Sequence, residues 1–510
     1  MKRRIATIVA ITVSAIAGAA LIPIDGPIQE RRLGTISFAN SGNAEAQRTF
    51  IEGVLLMHSF EFEDAATAFR AAQEIDADFA LAYWGEAMTY NHPLWRQQDK
   101  AAAIAALSRY APTAAARQAK ASTEREAAYL AALDILYGFE SNVESKRERD
   151  VAYMGAMERL AAAYPNDLEA RAFHALAILG STDGERDFAT YMKAAAAAEP
   201  VFRANPNHPG AVHYMIHSFD DPVHAPLALT AARAYSAIAP DAGHAQHMTS
   251  HIFVALGMWK DVVTANIRAR DVQNARLAEL GRTPNVCGHY TSWLHYGWLM
   301  RDETDRAERG MTECREHVTS GSATGGEVAY FVNMRARHVL DTRDWAAAER
   351  LAADVDQPGY HFITAFAAIK MGDRVTSTAV LDMLRRDNGS DAAPRLQIAQ
   401  KELEALLALD AGDGTRAMAL LAEAVEIEEG LPFEFGPPAS LKPPHELLGE
   451  VASELGNHLQ ALTAFRRALD FTPDRVPSLE GLIASARALD RSSTAADAQA
   501  RLDDIRGGGQ

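Results

Sequence analysis

The stretch Phe62-Glu63-Asp64-Ala65-Ala66-Thr67-Ala68-Phe69-Arg70-Ala71-Ala72 decides the fold. Ala65, Ala68, Phe69 and Ala72 fall three and four residues apart, the spacing of one helix face, and no β-branched run bounded by turn residues competes with that reading. Small residues on such a face let the helix lie close against the one before it. The same arrangement returns near the other end, from Leu459-Gln460-Ala461 through Phe465-Arg466-Arg467-Ala468-Leu469 to Thr472-Pro473. Between them, Leu256-Gly257-Met258-Trp259, Arg343-Asp344-Trp345-Ala346-Ala347-Ala348 and Met371-Gly372-Asp373 read as further turns. From about residue 45 the chain is therefore expected to be all-α.

Of 510 residues, 48% are hydrophobic and only 33 are Gly and 21 Pro, which suffices for a large core and excludes a disordered or fibrous chain. Length alone suggests three or four domains of about 150 residues. That division loses its meaning if each helix pair buries its remaining apolar face only against the next pair. The segments match the small/large pattern of the tetratricopeptide repeat (TPR), whose period is 34 residues, and chance accounts for one such segment but not five. The expected architecture is a TPR-like α-solenoid of antiparallel helix pairs. One array covers 45–320, a second covers 321–490 after the glycine-rich loop at 320–326, and a cap helix with a tail covers 491–510.

Met1-Lys2-Arg3-Arg4, a mainly apolar stretch over 5–16 and Ala17-Gly18-Ala19 have the layout of a secretory signal cut after residue 19, with 20–44 as an unstructured lead-in. The other reading is an uncleaved anchor, since the weakly apolar run continues to Ile24; nothing later in the chain is apolar enough to span a membrane. The expected location is periplasmic or secreted. The formal charge of -17 becomes -20 when the first 19 residues and their three positive charges are removed, and without a basic stripe nucleic acid is excluded as a main partner. Two cysteines exclude a disulfide-framework fold.

The histidines are clustered. His208, His213, His217, His224, His244, His247 and His251 put seven of 17 into 44 residues, where even spacing would put between one and two. His213 and His217 are i, i+4 neighbours, and His244, His247 and His251 run i, i+3, i+7, so each set lies along one helix face. Asn205 or Asn207 is a candidate N-cap before Pro209, and Leu256-Gly257 a stop. His213 plus 34 is His247 and His217 plus 34 is His251, the repeat period itself, so two ladders are expected to face each other on adjacent first helices about 8–10 Å apart and close around one ion. Asp220 and Asp221 extend the stripe, and His289, opening a helix over 290–300, approaches from the next repeat.

Imidazole with carboxylate suits Zn or Cu best, with Fe and Ni also compatible, and two His with one Asp also fits the facial triad of non-haem iron. The expected metal ligands are His213, His217, His247 and His251, completed or tuned by His244, Asp220 or His289. A groove of histidines that hydrogen-bonds a peptide or a small carboxylate ligand without metal, or a purely structural set, are the alternatives. His224 and His338 read as structural singles; His92, in Asn91-His92-Pro93-Leu94-Trp95, reads as part of a turn closing a helix, although Glu86 and His92 could line the same groove. His445 lacks the second histidine of a zinc-peptidase helix. Cys287 and Cys314 fall at ends of antiparallel helices that come together, which favours a disulfide, with Cys287 as a metal ligand beside His289 the alternative. No Gly-x-Ser-x-Gly, Cys-x-x-Cys or dinucleotide glycine motif is present, and Gly321–Gly326 is followed by Glu327 where a phosphate loop needs Lys.

The stretches 82–95 (Ala-Tyr-Trp-Gly-Glu-Ala-Met-Thr-Tyr-Asn-His-Pro-Leu-Trp), 213–222 (His-Tyr-Met-Ile-His-Ser-Phe-Asp-Asp-Pro) and 244–253 (His-Ala-Gln-His-Met-Thr-Ser-His-Ile-Phe) resemble those of exported bacterial tetratricopeptide-repeat proteins of a His-rich subgroup. The resemblance covers most of 45–480 and implies that first helices line a concave, ligand-binding wall. It supplies fold and geometry, and no reaction. Three functions stay open. A closed four-His shell points to a metal-holding protein that binds a protein, peptide or small ligand. An open three-ligand shell beside a pocket points to a metal-dependent hydrolase or oxygenase, with Asp220 or Asp221 as base or ligand. The third is a metal-free peptide-binding scaffold.

Overall fold

Helix follows helix in the computed structural model, which describes residues 31–139, 143–182, 186–388 and 393–507. The signal expected over 1–19 and residues 20–30 of the lead-in expected over 20–44 lie outside those residues. Among the described residues there are twenty-five α-helices and a single two-stranded ribbon, Asn91–His92 against Gln97–Gln98, so the chain is an all-α, TPR-like solenoid of antiparallel pairs. No helix among them is long and apolar enough to cross a membrane.

Packing explains the alanine-rich pattern. Phe69, on the Phe62–Ile75 helix, fits between Gly53 and Gly85, each sixteen residues away in sequence, and a Cβ at either glycine would meet its ring. Phe465, on the His458–Phe471 helix, fits in the same way between Gly449 and Gly481, again sixteen residues to either side. At both places a large ring of the second helix, inserted where the flanking first helices carry no side chain, sets the close approach that lets one pair stack on the next.

The helices that matter for the site start and stop on local signals. The Pro209–Ser218 helix is capped by His208, whose Nδ1 accepts the Ala211 N–H at 3.2 Å, with Pro209 at the first helical position. The cap is thus His208, not Asn205 or Asn207 as the sequence suggested, because Asn205 turns instead toward Thr35 and the Asn207 N–H. The Gly243–Ala255 helix begins 34 residues later and ends at Leu256, where Gly257 takes φ +68 so that the Met258 N–H can reach back to Phe253 O at 2.8 Å.

Two expectations need correction. Residues 32–44 are packed rather than an unstructured lead-in: Leu33 and Phe38 are buried, the Phe38 ring stands edge-on to Tyr129 at 5.3 Å and Trp84 at 5.8 Å, and Thr35 N–H donates to Asn207 O at 3.0 Å. The loop expected over 320–326 is shorter than that, because Gly325 and Gly326 already belong to the Gly325–Thr342 helix, started by a reciprocal Thr324–Glu327 cap. The apolar core does not divide there. One cluster runs from Leu33 to Ala307 and takes in the helices after residue 452, while a second spans Cys287 to Val451. The last helices return against the middle of the chain: the Trp259 indole N–H donates to Asp474 O at 2.8 Å, and buried Arg475 pairs with Asp341 and Glu446. Cys287 and Cys314 are bonded to each other, with Cα atoms 4.6 Å apart, which removes Cys287 from the set of possible metal ligands.

Candidate metal centre

Six imidazoles converge from three successive first helices. His213 and His217 come from Pro209–Ser218, His244, His247 and His251 from Gly243–Ala255, and His289 from His289–Met300. Their donor atoms fall into two sets, His213/His217/His244 and His247/His251/His289, in each of which one nitrogen from every ring lies within 4.8 Å of the others. The sequence placed His213, His217, His247 and His251 around one ion; the structure instead pairs histidines within a helix and completes each pair from the next first helix. His213 and His247 are fully buried, and His217, His251 and His244 nearly so.

The outward nitrogens fix which nitrogens face inward. His213 Nδ1 donates to the backbone carbonyl of His58 at 2.6 Å, and a carbonyl only accepts, so Nε2 carries the lone pair. His247 Nδ1 lies 2.7 Å from Asn266 Oδ1, and the Asn266 amide is oriented by its own donation to Val262 O, so His247 Nδ1 also donates. His251 Nδ1 donates to Asp220 Oδ2 at 2.6 Å. His289 Nδ1 is 3.2 Å from the Tyr330 hydroxyl. Asp220, expected as a ligand or base, therefore stands behind His251 and orients it. Asp221 is tied to Arg186 and His224.

The consequence is a conflict that only a cation resolves. His247 Nε2 and His251 Nε2 face each other at 3.1 Å while both Nδ1 atoms are committed as donors, so two lone pairs point at one another. A metal ion bound to both nitrogens would settle this. Two nitrogens bound to one ion at about 2.0–2.1 Å with angles of about 90–109° stand roughly 2.8–3.4 Å apart, which brackets the 3.1 Å found both here and between His217 Nε2 and His213 Nε2. His244 Nε2 is buried with no hydrogen-bond partner among the described residues, a vacancy that a metal–nitrogen bond would fill.

Burial prepares these groups electrostatically. It holds His213 down to about 3 and, with His251 adding to it, His289 down to about 3. It pushes His217, His244 and His247 well below the ordinary imidazole value, with neighbouring imidazoles reinforcing the shift. His213, His217, His244, His247 and His289 are thus held in the neutral form that binds metal.

Aromatic side chains enclose the rings. Phe60 lies 4.3 Å from His213 and Trp293 4.5 Å from His251, centroid to centroid. Phe435 reaches in from the loop after Gly414–Glu429 to 5.2 Å from His251. Phe60 holds φ 55, a left-handed conformation unusual for so bulky a residue, at the turn that aims its ring at His213. A cavity of about 110 Å³, lined by His217, Phe433, Phe435, Tyr191, Leu94 and Arg96 among others, opens beside the first set.

A third group that sequence reading missed, His58/Glu169/His208, has comparable spacing and a different character. His58 Nε2 and His208 Nε2 approach separate Glu169 oxygens at 2.7 and 3.1 Å, while His58 Nδ1 meets the Tyr214 hydroxyl at 2.8 Å and His208 Nδ1 takes the Ala211 N–H. Every nitrogen is satisfied, so this is a structural network. His92 Nε2 bonds to Thr89 O, and buried Glu86 is engaged by Gln73 and Arg109, so neither faces the centre. His445 pairs with Glu429. His295 and His338 pack ring to ring at 5.6 Å as a separate buried pair.

No family model and no curated protein sequence matches the chain. Solved structures that align with it include yeast Tom70, 11% identical over 89% of this chain and 97% of that one at a TM-score of 0.34. The P58(IPK) TPR domain is 14% identical over 88% and 99% at 0.24, and human IFIT1, in a dimer with PPP-AAAA, is 13% identical over 89% and 95% at 0.33. At such scores nothing is carried from them to this chain, whose helical pairing stands on its own packing.

Proposed function

We propose that this chain is a transition-metal-dependent enzyme, in which buried imidazoles hold copper or zinc and leave a coordination position open toward the cavity beside His217. The observation that carries the reading is the convergence of Nε2 lone pairs at 3.1 Å behind Nδ1 donors already committed to Asp220 and Asn266. Grouping by threes favours an open shell over a closed four-histidine one. Peptide recognition by these residues is disfavoured by their burial, since a ligand strand cannot reach rings enclosed by Phe60, Trp293 and Phe435.

Between the two enzyme classes, oxygen activation, which requires the copper form because zinc has no redox chemistry, fits better than base-assisted hydrolysis. Asp220 is spent on His251 and Asp221 on Arg186 and His224, and neither three-histidine set includes a carboxylate. Export of the chain to the periplasm or beyond remains part of the proposal, resting on the residue pattern of 1–19 alone.

Elemental analysis of purified protein tests the reading. We expect stoichiometric Cu or Zn, lost in a His213→Ala, His247→Ala double variant that keeps its far-ultraviolet circular dichroism. Metal-free protein that cannot be loaded with either ion, or a double variant that retains metal, contradicts it.

A further inference from the structure

We infer that the six imidazoles hold two metal ions as a single centre with one small oxygen ligand between them, and that the ions are copper. This rests on the metal reading above and goes beyond it in number, coupling and ligand.

The two sets are continuous. His217 meets His251 at 5.9 Å and His244 meets His247 at 6.1 Å, ring to ring, and His244 and His247 are consecutive members of one helix face. Ions seated on Nε2 atoms that converge from both sides are brought toward the separation of about 3.5–4 Å at which one ligand touches both.

Charge and donor chemistry then select the occupants. Both sets are made of imidazole alone, and the carboxylates that touch them are engaged elsewhere: Asp220 sits behind the His251 ring, and Glu61 accepts the His244 backbone N–H at 3.0 Å. Two divalent cations in so buried a place demand an anion between them, while two Cu(I) ions halve the charge and suit imidazole. Hydroxide is the bridging ligand of the Cu(II) form and dioxygen that of the Cu(I) form. In the latter each Cu(I) gives up one electron, dioxygen takes both and becomes peroxide held between two Cu(II) ions, and no further reductant or proton enters that step. The cavity beside His217, walled by Phe433 and Phe435, gives a small molecule access.

The test uses the whole wild-type chain, stripped of metal and titrated with Cu(II). The inference expects two coppers per chain, an integrated electron-spin signal below a tenth of the copper content because the bridge pairs the two unpaired electrons, and, after anaerobic reduction, uptake of one dioxygen per two coppers. Two coppers with a full spin count, or one copper per chain, overturns the paired centre and leaves the metal reading standing. Failure to retain either copper or zinc overturns the metal reading itself. His244→Ala should leave one copper with a full spin signal. His289→Ala should do the same from the opposite set, so a folding defect in one variant does not remove the control.

Discussion

Replacing Asp220 by Asn keeps size and shape and removes only charge, which isolates what the carboxylate does for His251. The bond from His251 Nδ1 to Asp220 Oδ2 is 2.6 Å long and both side chains are almost fully buried, so it is a charge-assisted hydrogen bond in a low-dielectric place. Such bonds contribute about 1.5–3 kcal/mol against roughly 0.5–1.5 for a neutral pair. The difference, on the order of 1–1.5 kcal/mol, is lost as ligand basicity and orientation, which is about tenfold in metal affinity. The amide has a second cost: Asp220 Oδ1 has no hydrogen-bond partner among the described residues, so an amide nitrogen placed there stays unpaired and lowers fold stability by about 1–3 kcal/mol. Asp220→Ala strands the His251 N–H as well and should weaken metal binding by about a hundredfold. The assay is competition with a chromophoric chelator at pH 7.5, with thermal melts of the metal-free proteins alongside. Affinities within twofold of wild type in both variants, or a larger loss in Asn than in Ala, would refute the role given to Asp220 and with it His251 as a ligand.

In the metal-free chain, burial holds His213 and His289 at about 3 against 6.5 for an exposed imidazole, so the unfolded chain takes up protons first and stability is lost as pH falls from about 6.5 toward 3. At pH 5 that is roughly 2 kcal/mol for each group. His213→Gln should therefore flatten the urea-denaturation stability difference between pH 7.5 and 5 by about that amount, and an unchanged slope counts against the buried neutral state. Glu169, held down to about 2 because His208 and His58 outweigh the burial that would raise it, contributes stability present above about 4.5 and lost as pH falls through 2. Glu169→Gln should lower thermal stability above pH 4.5 without changing metal content, and loss of metal would make this network part of the centre. Phe435, 42% exposed, covers His251 from outside, so Phe435→Ala should leave the melting temperature within a few degrees and speed metal removal by a chelator severalfold; unchanged release kinetics would mean that the loop does not guard the centre.

The 34-residue offset placed the right helices side by side, and the i, i+4 spacing placed His213 with His217 and His247 with His251 on one face each. Which histidines share a site was not legible, for a geometric reason: across neighbouring helices His247 comes within 4.5 Å of His289 and His213 within 5.1 Å of His244, ring to ring, whereas His217 and His251, one full repeat apart, stay at 5.9 Å. The role of Asp220 was misread because helical spacing gives a face and not a direction of reach, and its carboxylate crosses to the next repeat. Phe435 and Asn266 carried no signal near the histidines, since they arrive by tertiary packing, Phe435 from 184 residues beyond His251. His58 and Glu169 are 111 residues apart, and only the position of a lone histidine directly after the apolar run over 54–57 hinted at the first. Residues 32–44 looked like linker because they lack helical periodicity, yet Leu33 and Phe38 supply enough apolar area to pin an extended segment.

Anomalous diffraction from crystals of the copper-loaded protein, collected on both sides of the copper edge, tests the central claim most directly. The account predicts two anomalous peaks, one within about 2.0–2.1 Å of Nε2 of both His247 and His251 and one equally close to Nε2 of both His213 and His217. Peaks only at surface residues, or at His58 and His208, would contradict it.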